Sequence, residues 1–208
     1  MYHLRLSSHR RKNSDSKLYN VEISDWVMAD GACATATIIA SDVRRAYSSS
    51  SQQLMRVVLR AKKRGDAAFK SGDMPGAILQ YDASVKATRD WSSRQARTDK
   101  QMESIGPVMA RVLGNLALVH LRTGAHASAH SAAHEAIQAL SMAHCPQEDM
   151  EKMLPKFLFR RGKANHAMGV LQAALDDFSH PAVVGSGHAE AARLAMAIKA
   201  QLAKKKKK

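Results

Sequence analysis

Three glycines, Gly72, Gly124 and Gly169, each close one run of helix-forming residues and open another, and the residues around them fall into register. An alanine follows each glycine five positions later, as Ala77, Ala129 and Ala174. Tyr81, Ala133 and Phe178 then coincide further along the second run. A small residue at a recurring position lets two helices cross closely, and a bulky neighbour fills the space beside the crossing. A helical chain aligns both rarely by chance, so the chain is expected to be a repeat of helix pairs.

The first unit, LRAKKRGDAAFKSGDMPGAILQYDASVKA, runs from Leu59 to Ala87. A helix carrying Leu59, Ala61, Ala68 and Phe69 is expected to stop at Ser71-Gly72-Asp73. Gly72 tolerates the left-handed conformation that ends a helix, and Asp73 caps the next one. Pro75 falls in the first turn of that second helix, where its missing N–H costs little. Ala77, Ile78, Tyr81 and Val85 give the second helix an apolar stripe. The second unit runs from Ala110 to Leu140 with its turn at Thr123-Gly124, and the third from Pro155 to Phe178 with its turn at Gly169.

The glycine spacing is unequal, so extra residues are expected near Ser92–Met109, extending the neighbouring helices, and near His144–Leu154. A last amphipathic helix over 190–203, carrying Leu194, Ile198 and Leu202, is expected to cover the open apolar face of the final pair. The expected fold class is all-α. A domain over 51–203 holds repeats at about 58–91, 110–143 and 155–187, plus the capping helix, and a polylysine tail follows at 204–208.

Composition agrees with helices. Hydrophobic residues make up 45% of the chain but aromatics only 5%, and few Val-Ile-Thr-aromatic runs alternate with period two, which argues against a sheet. The formal net charge is +14, and about half of that excess belongs to residues 51–203. A basic body favours acidic partners, whether peptide, nucleic acid or anionic membrane. Cys33 and Cys145 form no CxxC pair and no metal-ligand spacing, so a reducing, cytoplasmic setting is the default. Val27–Ala40 is too short and too rich in Ala, Thr and Gly to span a bilayer, and no membrane span is expected.

Residues 1–50 differ from the rest. The opening MYHLRLSSHRRK is basic and contains serine, which fits an organelle transit peptide within residues 1–27, although Asp15, Glu22 and Asp25 dilute the pattern. Met28 is an alternative start, and a mobile tail is the third reading.

The segment GDAAFKSGDMPGAILQY resembles the tetratricopeptide repeat (TPR) family, whose pattern has a Gly, an aromatic, a Gly-Asp turn, an Ala and a Tyr. The third unit keeps Gly162, Gly169, Ala174 and Phe178, whereas the second has Ala117 where a Gly is common. The similarity covers about residues 58–180. The phrases LGNLALVHLRTG and FLFRRGKA look most like the repeat domains of immunophilin-type co-chaperones. The preceding fifty residues are too few for an isomerase domain, so a stand-alone repeat domain is expected. The resemblance implies a right-handed helical solenoid of three helix pairs that acts as a protein–protein adaptor.

In that subfamily a groove lined by the first helix of each pair binds the acidic C-terminal tail of cytosolic heat-shock chaperones. The resemblance implies a two-carboxylate clamp made of Lys and Asn, then Asn, then Lys and Arg. The matching positions hold Lys62 and Asp66, then Asn115, then Lys156 and Arg160. Four of the five fit the chemistry: cationic N–H donors hold carboxylates strongly, and an amide donates without adding charge. Lys62/Asp66 and Lys156/Arg160 are spaced i, i+4, so each pair shares a helix face. Asp66 departs from the pattern. A carboxylate cannot donate, repels a ligand carboxylate and is placed to pair with Lys62. An intact clamp of this kind selects a free terminal carboxylate over its amide.

The other polar clusters carry less. His126, His130 and His134 recur along one helix face without a third ligand set nearby, so no metal is expected. Met102, Met109, Met142, Met153 and Met168 read as core or seam fillers. Arg161 is expected to sit off the groove and pair with an acid, and Asp176-Asp177 to contact a neighbouring helix. No nucleophile-elbow, phosphate-loop or paired-carboxylate motif occurs, so neither a catalytic site nor a cofactor is expected. Lys204–Lys208 reads as a solvated tail, and the alternative functions are a repeat scaffold for a different partner or a basic ribosome- or RNA-associated factor. Oligomeric state is left open.

Overall fold

The computed structural model of the protein describes residues 51–94, 99–142 and 145–205. The expectations for residues 1–50, for Cys33 and for Lys206–Lys208 lie outside the described residues. Eight α-helices and no strands make up the described part: α1 (Ser51–Ser71), α2 (Met74–Arg94), α3 (Asp99–Arg122), α4 (His126–Met142), α5 (Gln147–Ala167), α6 (Leu171–Ser179), α7 (Pro181–Gly185) and α8 (Ala189–Lys205).

The three turns form as the sequence indicates. Gly72, Gly124 and Gly169 have φ of 85°, 75° and 78°, the left-handed region that only glycine enters without strain. Each turn closes with the same backbone bond, from the residue after the glycine back to the last helical turn: Asp73 N–H to Ala68 O, Ala125 N–H to His120 O, and Val170 N–H to Asn165 O, each 2.9 Å. Asp73 also caps α2, its Oδ1 accepting from Gly76 N–H at 2.8 Å.

The two helices of each pair, α1 with α2, α3 with α4 and α5 with α6, pack together. Close crossing depends on one inner-helix position. A Cβ on Gly65 would lie 2.7 Å from the Tyr81 ring, and one on Gly162 would lie 2.7 Å from the Phe178 ring. In the second pair both equivalent positions are alanine, Ala117 and Ala133, each completely buried. Glycine against an aromatic ring has been exchanged for two alanines, a smaller pair that permits close approach because neither side chain is bulky. The degenerate second unit therefore keeps the geometry with different side chains.

Successive pairs stack. α2 packs on α3, α4 on α5, and the inner helices α1, α3 and α5 contact one another in order. One apolar core runs from Leu54 through Ala110 and Leu113 to Phe157. A second, built on Leu158, Phe178 and Val183, is closed by Ala191, Ala195 and Ile198 of α8. The segment Glu103–Arg122 of α3 is apolar and long enough to cross a membrane by composition alone, but more than half of it is buried by its neighbours. Its apolarity is that of a central core helix.

Element starts differ from the repeat limits read in the sequence. α3 begins at Asp99 and α5 at Gln147, so much of the expected inserted sequence is helical and Pro107 and Pro155 lie inside helices. The last outer helix is broken. His180 precedes Pro181 and is held extended (φ −60°, ψ 137°), because the proline ring disfavours helical geometry in the residue before it. His180 Nδ1 then accepts from Ala182 N–H at 3.2 Å and starts α7.

Replacing Gly162 by alanine should lower unfolding free energy by about 1–3 kcal/mol, because the added Cβ overpacks against a ring with no free space beside it. In denaturant melts the Gly162→Ala/Phe178→Leu double variant should lose less than the sum of its parents. Additive losses would show that the ring and the glycine do not set the crossing.

Candidate peptide-binding groove

A groove of about 560 Å³ opens between α3, α5 and α8, with His126 at the start of α4 on its edge. Leu118, Leu121, Phe159 and Leu194 supply its apolar surface, and Arg122, Lys156, Arg160 and Lys163 its charge. Glu190 is the only acid lining it among the described residues, and it is spent on Lys163 at 3.1 Å. The aromatic surfaces are also engaged. Arg122 lies 4.4 Å over the Phe69 ring, and His188 stacks on Phe159 with centroids 3.9 Å apart. Apolar surface flanked by cations suits an extended acidic peptide with apolar side chains.

The five residues singled out in the sequence divide into two groups. Lys62, Asp66 and Asn115 come together on the carboxylate of Asp66. Lys62 Nζ donates to Oδ2 at 2.6 Å, and Asn115 Nδ2 donates to Oδ1 at 3.0 Å. A third donor, the Tyr81 hydroxyl, reaches Oδ1 at 2.6 Å. Sequence reasoning assigned Tyr81 to the core only. It is both: its ring packs on Gly65 while its hydroxyl holds the neighbouring side chain.

Protonation follows from these contacts. Burial by itself would raise the Asp66 carboxyl, but hydrogen bonds from Lys62, Tyr81 and Asn115, with the Lys62 charge, hold it below the ordinary carboxylate value. Burial, then the bond to Asp66 and its negative charge, push the Tyr81 hydroxyl well above its ordinary value. The site holds one carboxylate and one neutral phenol near pH 7.

Lys156 and Arg160 form the second group, on successive turns of α5. Lys156 is exposed, with no carboxylate partner among the described residues. Arg160 is half-buried and donates through Nη1 to the carbonyl of Gly114 at 2.6 Å. Burial draws its guanidinium below the ordinary value, but arginine stays charged under any physiological condition. It too lacks a carboxylate partner among the described residues. By contrast Arg161, the next residue, turns away and binds the buried Asp177 through Nη2 at 2.6 Å and Nε at 3.1 Å. Asn165 adds a bond to the same carboxylate at 3.0 Å. Asp177 thus joins α5 to α6, as the sequence suggested for Arg161 and its acidic neighbour.

Lys163, Leu118 and Leu121 were missed as groove residues. The signal for Leu118 and Lys163 lay in the repeat frame, which puts them with Asp66 at one position of the three inner helices. Of the histidine row, His126 lies on the groove edge with its Nδ1 buried, and His130 and His134 lie on the polar face of α4. His130 and His134 stack with centroids 6.2 Å apart, and Arg161 lies 3.2 Å from His134 Nδ1. Among the described residues no group of three His, Cys, Asp or Glu could hold a metal ion.

The chain is similar in structure to the C-terminal TPR-containing domain of a Plasmodium falciparum FK506-binding protein, with a TM-score of 0.63 and 16% sequence identity over 78% of this chain and 99% of that domain. It is also similar to the first TPR domain of the human RPAP3 protein, with a TM-score of 0.50 and 23% identity over 72% of this chain and 95% of that one. No family model matches the chain, and no curated protein sequence matches it. The fold is that of the tetratricopeptide repeat.

A lowered carboxyl pKa in the folded state contributes stability above the unfolded value near pH ~4, and that contribution is lost as pH falls through the folded value. The stability difference between wild type and Asp66→Asn in denaturant melts should therefore be constant from about pH 5.5 to 8 and change only below about pH 4. A difference already moving near neutral pH would contradict the ionised Asp66 described above.

Proposed function

We propose that the chain is a non-catalytic protein-interaction module, a co-chaperone-like adaptor whose groove binds an extended acidic peptide. The observation that carries this reading is the pair Lys156 and Arg160. Two cations one turn apart flank apolar surface and lack carboxylate partners, whereas Lys62, Lys163 and Arg161 each hold an acid. A guanidinium already partly desolvated forms stronger bonds to an arriving carboxylate than a freely solvated one. The acidic tail of a heat-shock chaperone is the peptide that the immunophilin-type resemblance implies.

Each charge-assisted hydrogen bond contributes about 1.5–3 kcal/mol, so two or three of them with some apolar contact account for micromolar binding. A decapeptide ending Glu-Glu-Val-Asp should bind the full chain in calorimetry at about micromolar Kd. Lys156→Glu should weaken it at least about tenfold, while Lys199→Glu, an exposed position on α8 outside the groove, should leave it unchanged. Equal losses in both variants, with a steep salt dependence, would instead indicate non-specific attraction to polyanions such as RNA.

A further inference from the structure

The two groups of candidate-site residues differ in one respect: the group beside the groove, at Asp66, already holds a carboxylate, and the group lining it, Lys156 and Arg160, does not. Asp66 accepts one bond on Oδ2 and two on Oδ1, from Lys62, Tyr81 and Asn115. A carboxylate offers about four acceptor positions, so its bonding is close to saturated by the protein itself. The donors come from three helices, α1, α2 and α3, and converge on a side chain of α1. This is how a bound ligand carboxylate is usually held, with a cation on one oxygen and neutral donors on the other.

We propose that Asp66 is a built-in ligand carboxylate. It occupies the half of the site formed by Lys62, Tyr81 and Asn115, so the groove reads the acidic side chains of a peptide at Lys156 and Arg160 and does not require the peptide's free C-terminus. The inference rests on the peptide-binding reading above and specifies what part of the peptide is read.

Charge and geometry both support this. A second carboxylate brought to Lys62 and Asn115 would lie against the ionised Asp66, and like charges at such range repel. It would also compete for donors already engaged at 2.6–3.0 Å. Lys156 and Arg160 have no such occupant. Arg160 is anchored at the carbonyl of Gly114, the residue preceding Asn115, so the open half of the site begins where the filled half ends. A peptide therefore meets, on one side, a carboxylate already paired with Lys62 and donors already engaged and, on the other, two cations without a carboxylate partner among the described residues. Side-chain carboxylates satisfy the second without approaching the first. A chain terminus placed at the first is disfavoured, and an uncharged terminal amide there is tolerated.

The test compares one decapeptide ending Glu-Glu-Val-Asp as the free acid and as the C-terminal amide, titrated into the full chain at about 0.15 M salt, where charges beyond ~8 Å are screened. Wild type should bind the two forms within about twofold of each other. Asp66→Asn, which leaves a donor in place of the carboxylate, should favour the free acid by at least about fivefold, the lower bound for a typical coupling between groups at one site. A wild-type preference for the free acid of tenfold or more would overturn the inference while leaving peptide binding intact. Failure of Asp66→Asn to gain a preference would also overturn it, provided its helical circular dichroism matches wild type. Binding of neither form to wild type would remove the peptide-binding reading itself. The wild-type comparison needs no variant, so the outcome does not depend on the folding of Asp66→Asn.

Discussion

How closely two helices can cross decides what each pair can bury, and in this chain the crossing is set by one inner position against one outer position. Gly65 and Gly162 leave room for the rings of Tyr81 and Phe178, which are almost fully buried. Ala117 and Ala133 solve the same problem in the second pair without a ring. Much of the rest follows from that distance. It puts the apolar stripes of α1 to α6 in contact, and it fixes where the far end of an aromatic side chain emerges. In the first pair that end is a phenol, and beside it on α1 lies Asp66, which the hydroxyl binds. In the third pair the ring is Phe178, and the residue matching Asp66 is Lys163, which has no use for a phenolic donor. A hydroxyl is present where a carboxylate needs one and absent where a cation stands.

These relations explain what was legible in the amino-acid order. Turns were readable because Gly72, Gly124 and Gly169 answer a local requirement, positive φ at the end of a helix, that few other residues meet. The outward turn of Arg161 was readable because adjacent helical residues differ by about 100° in direction, so Arg160 and Arg161 cannot both face the groove. The start of α3 falls within the expected extension near Ser92–Met109, but that of α5 was not readable: the third unit was read from Pro155, a proline that packing accommodates inside the helix. The site was legible as positions but not as a network. Asp66, Tyr81 and Asn115 lie far apart in sequence, and only the stacking of α1, α2 and α3 makes them neighbours.

Electrostatics in the groove are consequently local rather than a product of the overall charge of +14. Charges that serve the fold are neutralised within it: Asp177 by Arg161, Glu190 by Lys163, Asp66 by Lys62. Exposed pairs such as Arg111 with Asp149 contribute little to stability. On α5 the contrast is direct: Arg161 and Lys163 hold acids, whereas Lys156 and Arg160 have no carboxylate partner among the described residues.

The open and filled halves of the site are also joined mechanically. A Cβ on Gly114 would fall 2.1 Å from the Phe157 ring, so the absence of one lets α5 approach α3 at this point. Arg160 follows Phe157 by nearly one turn of the same helix and reaches the Gly114 carbonyl because of that approach. Asn115, next along α3, faces the other way to Asp66. One short stretch of α3 therefore does three things: it seats an aromatic of the core, holds the arginine of the open half, and completes the donor set of the filled half. Arg160 and Asn115 are thus joined through adjacent backbone at residues 114 and 115, by direct contacts.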